Sequence, residues 1–521
     1  MINIAWVLHL AAWSIVFPVL CLTTIQSYRK NDPQEGFSVS AFLVFVLALA
    51  LQLSVQSIPA DVRLDVALAG LQGEAGHRLS AINRLAWEAA SFFSRLLRVF
   101  SVWDGEIALH ALAGSLSVLA VYRFTLREYE NRATAFGAAL LVACFPPVIR
   151  FSASDSPASL TLLFTALALD FVSLAAKSGE ARMLFIAAGW LAALVEVRSE
   201  GIGFALGSLI FLAPRWKSLA RIRTKALVAA GLIAVLLAGH RFAITAWTAR
   251  TTDLMPPLNP LVVTRAFMRL PDNNFTGSLW LALCLAGLTF HAAVDPKVLA
   301  CRLSGLYVGT YMLVCLSNLS SGQTGNIHYW FPALVLVAVP FASGLVSLIA
   351  RMPKPLSKWP RGTLLVVVLA APGRTWETVR TRWATQEELH FVLKELPKIP
   401  DGCRILTRKP VFMPGALEVG PSFSLLSRRA HNWKFLDPSD PAEGDFISAA
   451  PCVVYYRGGR CATRGRPAFG DEPIPDDCAK LESRWQMVPL AESRVGGAPL
   501  VAESYRTNPY PVGFFRVSAT K

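Results

Sequence analysis

Charge is what this sequence has least of. Only 16% of its 521 residues are Asp, Glu, Lys or Arg, against 54% hydrophobic ones, and the mean hydropathy is +0.45. Soluble globular domains carry about 25% charged residues, so the deficit excludes an ordinary cytosolic enzyme and any disordered chain. Acidic residues are the scarcer sign: 35 Asp and Glu stand against 50 Lys and Arg, a formal net charge of +15. In a water-soluble chain that excess points to nucleic acid. In an apolar one the first question is whether the bases are sorted into loops on one side of a membrane. Glycine-rich phosphate loops are absent, which removes a nucleotide-driven transporter domain, and HExxH and GxSxG are absent too. The start, Met1-Ile2-Asn3-Ile4, lacks the basic region of a signal peptide, and no small-residue cleavage pattern follows. The first apolar run therefore reads as a retained span, with Pro18 tolerable as a kink.

What is present is long apolar runs, and they are unevenly spread. They fill residues 1–373 and leave 374–521 as a separate, polar domain. A bilayer core of roughly 30 Å needs about 20 apolar residues per helix. The pattern predicts about twelve spans: 4–24, 37–57, 106–122, 134–149, 158–176, 183–197, 201–213, 226–247, 279–292, 299–317, 329–350 and 362–373. With the amino terminus outside, the inside loops hold Arg29 and Lys30; Arg123, Arg127 and Arg132; Lys177 and Arg182; Arg215, Lys217, Arg221, Arg223 and Lys225; Lys297 and Arg302; and Arg351, Lys354, Lys358 and Arg361. The opposite loops hold fewer bases in more residues. Positive-inside sorting thus supports this orientation and puts the tail outside. It also accounts for the basic run 214–225 without nucleic acid.

The tail opens with a stretch from Thr375 to Lys398 in which Trp376, Val379, Trp383, Leu389, Val392 and Leu396 recur at helical spacing. Short apolar runs at Cys403–Leu406 and Cys452–Tyr456, separated by Pro- and Gly-rich turns, predict a small α/β domain. Four of the nine cysteines lie in this tail: Cys403, Cys452, Cys461 and Cys478. An even set in an exported domain predicts two disulfides. Cys452 and Cys461 flank Gly458-Gly459, which favours a bond across a hairpin, although three connectivities are possible. A zinc site is the rival, disfavoured because no CxxC pair occurs.

Candidate chemistry lies at the outer face, where an ionisable group is costly to bury and usually has a reason. The longest outer loop, 58–105, carries Asp61, Asp65, Glu74, His77 and Glu88 among two amphipathic helices, one of them Leu79–Phe100. Asp61 and Asp65 stand four apart, so on a helix they share a face. Such a pair can supply a general base and an anchor for an acceptor or a divalent metal, which is the one cofactor the pattern admits. The plainer reading is two solvated acids flanking Arg63.

At Trp103-Asp104-Gly105-Glu106-Ile107-Ala108-Leu109-His110-Ala111-Leu112-Ala113-Gly114 the sequence resembles the start of the second core span in polytopic GT-C glycosyltransferases of the protein O-mannosyltransferase and aminoarabinose-transferase type. Pro146-Pro147-Val148-Ile149-Arg150-Phe151-Ser152-Ala153-Ser154-Asp155 is similar to their outer-facing turn between two spans. Val197-Arg198-Ser199-Glu200-Gly201 is similar to their arginine-proline-glutamate-glycine stretch, and His328-Tyr329-Trp330-Phe331-Pro332-Ala333-Leu334 to their arginine-tyrosine stretch ending in proline-alanine-leucine. The four occur in the family's order across about 60–350. Departures are specific: the family's Asp-Glu pair has Asp61 or Asp65 as its nearest counterpart, neither followed by Glu. His328 stands for the family's arginine, Ser199 for its proline, and the span 4–24 precedes its usual first helix.

The resemblance implies sugar transfer from a polyprenyl-phosphate donor to a glycan, lipid or protein acceptor at the outer membrane face, with inversion. It also implies a catalytic carboxylate, Asp61 first and Asp65 second, and donor-phosphate contacts from Arg150, Arg198, His328 and Tyr329. Asp155 and Glu200 would support the arginines, with Arg241 a weaker candidate. The plain alternatives are interfacial snorkelling for the arginines, an interfacial belt pair for His328-Tyr329, and solvated turn acids. The fold class expected is mainly α, a polytopic bundle of GT-C type with a small C-terminal α/β extracytoplasmic domain, in the plasma (inner) membrane and among its lipids. The rivals are a transporter or lipid flippase, which predicts an internal repeat and charges at mid-span, a membrane polymerase or ligase, and a non-catalytic relative.

Overall fold

The computed structural model describes residues 4–31, 39–55, 81–82, 85–86, 89, 92, 102–152, 158–198, 201–219, 222, 224–251, 286–292, 295–317, 331–371, 376, 391–392, 394–400, 402–407, 432–435, 447, 451–458, 461, 476–495 and 510–519. They fall into two compact units: 1–56, 80–93 and 105–379 make up the first, which is helical, and 57–79, 94–104 and 380–521 the second, which holds the strands.

The helical unit contains α1 (Ile4–Asn31), α2 (Val39–Ser54), α3 (Val102–Tyr129), α4 (Arg132–Ala143), α5 (Pro146–Ser152), α6 (Ala158–Ser178), α7 (Ala181–Val197), α8 (Gly201–Phe211), α9 (Thr224–Thr251), α10 (Pro296–Ser317), α11 (Phe331–Ala350) and α12 (Pro360–Ala370). Among the described residues, four helical stretches are long and apolar enough to cross a membrane, within α1, α3, α6 and α11. The pair α4–α5, bent by 57°, makes a fifth if it is one span. The exposed residues of α1 and α9 include Leu8, Ile15, Val19 and Leu22, and Val228, Leu232, Val235 and Leu236. Apolar surface of that extent is foreign to water but is the ordinary surface of a helix in lipid. The chain is an integral membrane protein. The helix α6 differs: nearly all its side chains are buried, so it is the inner helix of the bundle. Gly179, with φ +71°, ends it in the left-handed conformation that glycine adopts without strain.

Two expectations change here. The predicted span 134–149 is broken at Cys144-Phe145, because Pro146 and Pro147 open a new helix at the first turn, where a missing N–H costs nothing. The predicted span 106–122 continues to Tyr129 as α3. Arg123 and Arg127 therefore lie within a helix, not in an inside loop, and Arg302 likewise lies inside α10. Asn131 caps α4 after that turn, its side chain accepting from Ala133 N at 2.9 Å and Thr134 N at 3.1 Å. The helices α8 and α10 meet backbone to backbone: a Cβ on Gly207 would run into the Gly305 carbonyl, and one on Gly305 into the Gly207 carbonyl. Small residues at such a crossing let apolar helices approach closely enough for dispersion to hold them.

The second unit is a five-stranded mixed sheet in the order β2-β1-β3-β5-β4, with β1 Arg404–Thr407, β2 Asn432–Phe435, β3 Val453–Arg457, β4 Trp485–Val495 and β5 Tyr510–Ala519. The strand β1 runs parallel to β2 and β3, while β5 is antiparallel to β3 and β4. One helix, α13 (Asp476–Arg484), leads directly into β4. Its core joins Leu406, Val453, Tyr455, Leu481 and Val517, and Phe514 lies against Phe391 and Tyr456 with centroids at 5.8 and 4.8 Å. Both predicted strand runs, 403–406 and 452–456, fall in this sheet. Most of the stretch 375–398 lies outside the described residues.

The disulfides are Cys403–Cys452 and Cys461–Cys478, which corrects the preferred Cys452–Cys461 pairing. The reason is register. Arg404 sits opposite Val453 in the parallel β1–β3 pair, so Cys403 and Cys452 meet at its head with Cα atoms 4.7 Å apart. Cys461 bonds instead to Cys478 on α13.

Candidate functional site

The connectivity sorts polar residues to two ends of the helical unit. The long stretch between Val55 and Val102 leaves from the end of α2 and returns at the start of α3. Because α6 and α7 form a hairpin closed at Gly179-Glu180, the start of α6 and the end of α7 lie at that same end.

Arg150 is on the short helix α5, which leads toward the start of α6, and is 2% exposed. Arg198 follows the last residue of α7 and is 5% exposed. Its backbone N–H donates to Leu194 O at 3.2 Å and its carbonyl accepts from Gly201 N at 2.8 Å, a tight turn into α8. His110 and Ser159 hydrogen-bond at 2.8 Å between Nδ1 and Oγ, tying α3 to the start of α6. Beside them, Ser115 Oγ donates to Gln52 Oε1 at 3.1 Å, and a Cβ on Gly114 would press on Ser152 Oγ. Gly114, Gln52 and Ser115 thus form the seat on which α5, and with it Arg150, rests.

Glu196, the second-to-last residue of α7, is 1% exposed. Its Oε2 lies 3.0 Å from His9 Nε2 of α1, and its Oε1 accepts the Ala81 backbone N–H at 2.7 Å. Sequence reasoning passed over it because it sits inside the predicted span 183–197. A carboxylate within an apolar run was itself the available signal.

Of the other predicted site residues, Asp61, Asp65, Asp155, Glu200, His328 and Tyr329 lie outside the described residues. So do Glu74, His77, Glu88 and the side chain of Arg241. Among the described residues, no group of three His, Cys, Asp or Glu side chains is arranged to hold a metal ion. No step below is assigned to one.

The opposite end carries more charge. Asp170 of α6, fully buried, accepts from Arg127 Nε at 2.7 Å and from Tyr28 Oη at 2.8 Å. The Arg123 guanidinium lies 4.0 Å above the Tyr28 ring. Nearby, Glu128 accepts from Ser173 Oγ at 2.6 Å and pairs with Arg302 at 3.5 Å. The Arg302 guanidinium stacks on Tyr129 and Phe211 at 4.9 and 4.8 Å. These contacts bolt α1, α3, α6 and α10 together, and three of the arginines expected in inside loops take part from within helices.

Chemically, buried guanidiniums suit a phosphate, since each presents a planar fork of donors in a medium that strengthens charge-assisted hydrogen bonds. A helical membrane unit followed by a small mixed-sheet domain is a fold that solved structures share. The crystal structure of ArnT from Cupriavidus metallidurans in the apo state superposes with a TM-score of 0.54 at 10% identity, covering 91% of this chain and 97% of that one. The same protein bound to undecaprenyl phosphate gives 0.50 at 9% identity, covering 91% and 96%. The arabinofuranosyltransferase AftD from Mycobacteria gives 0.51 at 16% identity, covering 92% of this chain; the chain spans 40% of the length of AftD. Residues 89–240 match the dolichyl-phosphate-mannose-protein mannosyltransferase family. Comparison with curated protein sequences finds no match. The likeness to these solved structures is one of fold, and the family match covers residues 89–240.

Proposed function

We propose that the protein transfers a sugar from a polyprenyl-phosphate donor to a glycan, lipid or protein acceptor at the outer face of the plasma (inner) membrane, with inversion at the anomeric carbon. The observation that carries this reading is the burial of Arg150 and Arg198 at one end of the helical unit. The undecaprenyl phosphate held by ArnT, a protein of the same fold, supports the choice of donor.

In this mechanism a carboxylate of the first outer loop, Asp61 before Asp65, takes the proton of the acceptor hydroxyl as its oxygen attacks the anomeric carbon. The bond to the lipid phosphate breaks on the opposite face, which inverts the centre. Charge then grows on the departing phosphate. Arg150 and Arg198 stabilise it, an interaction stronger in the transition state than in the ground state, and His328 and Tyr329 complete the phosphate contacts. Asp155 and Glu200 orient the two arginines. The bases in short loops at the opposite end support an orientation that puts the sheet domain outside. The two disulfides of that domain fit an oxidising compartment.

The test is direct. The full chain in lipid nanodiscs is incubated with radiolabelled polyprenyl-phosphate sugars and extracts of cell-envelope acceptors. The reading predicts release of free polyprenyl phosphate together with label in an acceptor, and a product of inverted anomeric configuration by NMR. Label carried across the bilayer on an intact lipid would instead support a flippase.

A further inference from the structure

A carboxyl group is an awkward occupant for the last turn of an apolar helix, where the unsatisfied carbonyls already carry partial negative charge. Glu196 sits there, buried, and the fold compensates it from two places remote in sequence. The His9 ring of α1 meets one oxygen at 3.0 Å, and the Ala81 backbone N–H donates to the other at 2.7 Å. Neither contact is needed to form α7. Ala81 and Ile82 are themselves buried, and they are where the chain re-enters the helical unit after the stretch that carries Asp61 and Asp65. Two residues beyond Glu196 stands Arg198. One carboxylate therefore ties together the re-entry point of the acid-bearing stretch, the additional first helix and the turn that carries an arginine.

We infer that Glu196 is a positioning residue for transfer: its carboxylate fixes the chain at Ala81, and α1 through His9, against the end of α7, and so holds the turn that carries Arg198. The inference rests on the transfer reading above and deepens it. Glu196 touches neither donor nor acceptor and acts through the backbone it holds. It also gives the additional helix α1 a role, because His9 supplies the second half of the clasp.

The experiment uses the full chain in lipid nanodiscs, comparing wild type with Glu196→Ala, Glu196→Gln and His9→Ala. Amide hydrogen exchange of peptides that span Ala81, starting several residues before it, is read by mass spectrometry, beside kcat, the donor KM and the thermal midpoint. In Glu196→Ala, loss of a hydrogen bond to a charged acceptor should speed that exchange about tenfold or more and lower kcat by a similar factor. The donor KM should stay put. Glu196→Gln should restore most of both, since its amide oxygen still accepts the Ala81 N–H. His9→Ala should shift both in the same direction by less. Unchanged exchange at Ala81 in Glu196→Ala would overturn the inference, as would a fall in thermal midpoint with kcat per folded molecule intact. A wild type inert toward every polyprenyl-phosphate sugar would overturn the transfer reading instead, while the exchange measurement would still decide whether Glu196 holds Ala81.

Discussion

The two ends of the helical unit use buried charge in opposite ways. At one end Asp170 is enclosed by Arg127 and Tyr28, and Glu128 by Ser173 and Arg302, so carboxylates and guanidiniums sit close to one another. At the other, Arg150 is buried on the short helix α5 and Arg198 just past the end of α7, and the buried acid described there, Glu196, is turned toward His9 and a backbone N–H. Ion pairs closed on themselves fasten helices. In the reading proposed above, Arg150 and Arg198 meet a ligand that brings its own negative charge. On that reading the same residue types serve structure at one end and transfer at the other, and substitutions should separate the two.

The largest effect on folding should come from Asp170→Ala. It strands Arg127 in the bundle without its carboxylate and removes the acceptor of Tyr28, and breaking a buried pair from one side costs about 3–5 kcal/mol. Thermal unfolding in detergent should show a midpoint far below wild type and a low yield of folded protein. At the other end, Arg150→Lys and Arg198→Lys keep the charge and lose the planar fork. Each should lower transfer about a hundredfold, in line with loss of one oxyanion donor, while the thermal midpoint stays close to wild type. A midpoint loss as large as that of Asp170→Ala would erase the distinction between the ends.

Two smaller changes calibrate the scale. Gly207→Ala forces a methyl into the Gly305 carbonyl at the α8–α10 crossing and should cost about 1–3 kcal/mol of stability. Asn131→Ala removes the side-chain cap of α4 and should cost about 1 kcal/mol, read from the same unfolding curves with transfer per folded molecule unchanged.

Much of the architecture was legible from the chain. Apolar runs mark helices such as α6 and α11 because a membrane helix must be apolar along its whole length, and the strand runs at 403–406 and 452–456 announce the sheet. The break at Pro146 was not read, because proline is permitted in membrane helices and its presence does not say whether a helix kinks or restarts. Arg123, Arg127 and Arg302 were assigned to loops by the rule that charges lie outside the bilayer. Their partners, Asp170 and Glu128, are distant in sequence, and only the fold brings them within reach. The disulfide pairing failed for a related reason: the hairpin around Gly458-Gly459 is a local signal, whereas the parallel register of β1 and β3 joins residues 49 apart. At the site, Arg150 and Arg198 were found through motif resemblance, and the fold places both at one end. Glu196 was hidden by the very apolarity that predicted its helix.

The measurement closest to the central claim is transfer of radiolabelled sugar from a polyprenyl-phosphate donor by wild type, Asp61→Asn and Asp65→Asn, each as the full chain and each checked for an unaltered thermal midpoint. If a first-loop carboxylate is the general base, one of the two variants, Asp61→Asn first, falls to background while the other keeps measurable transfer. Transfer at the wild-type rate in both variants would contradict that assignment.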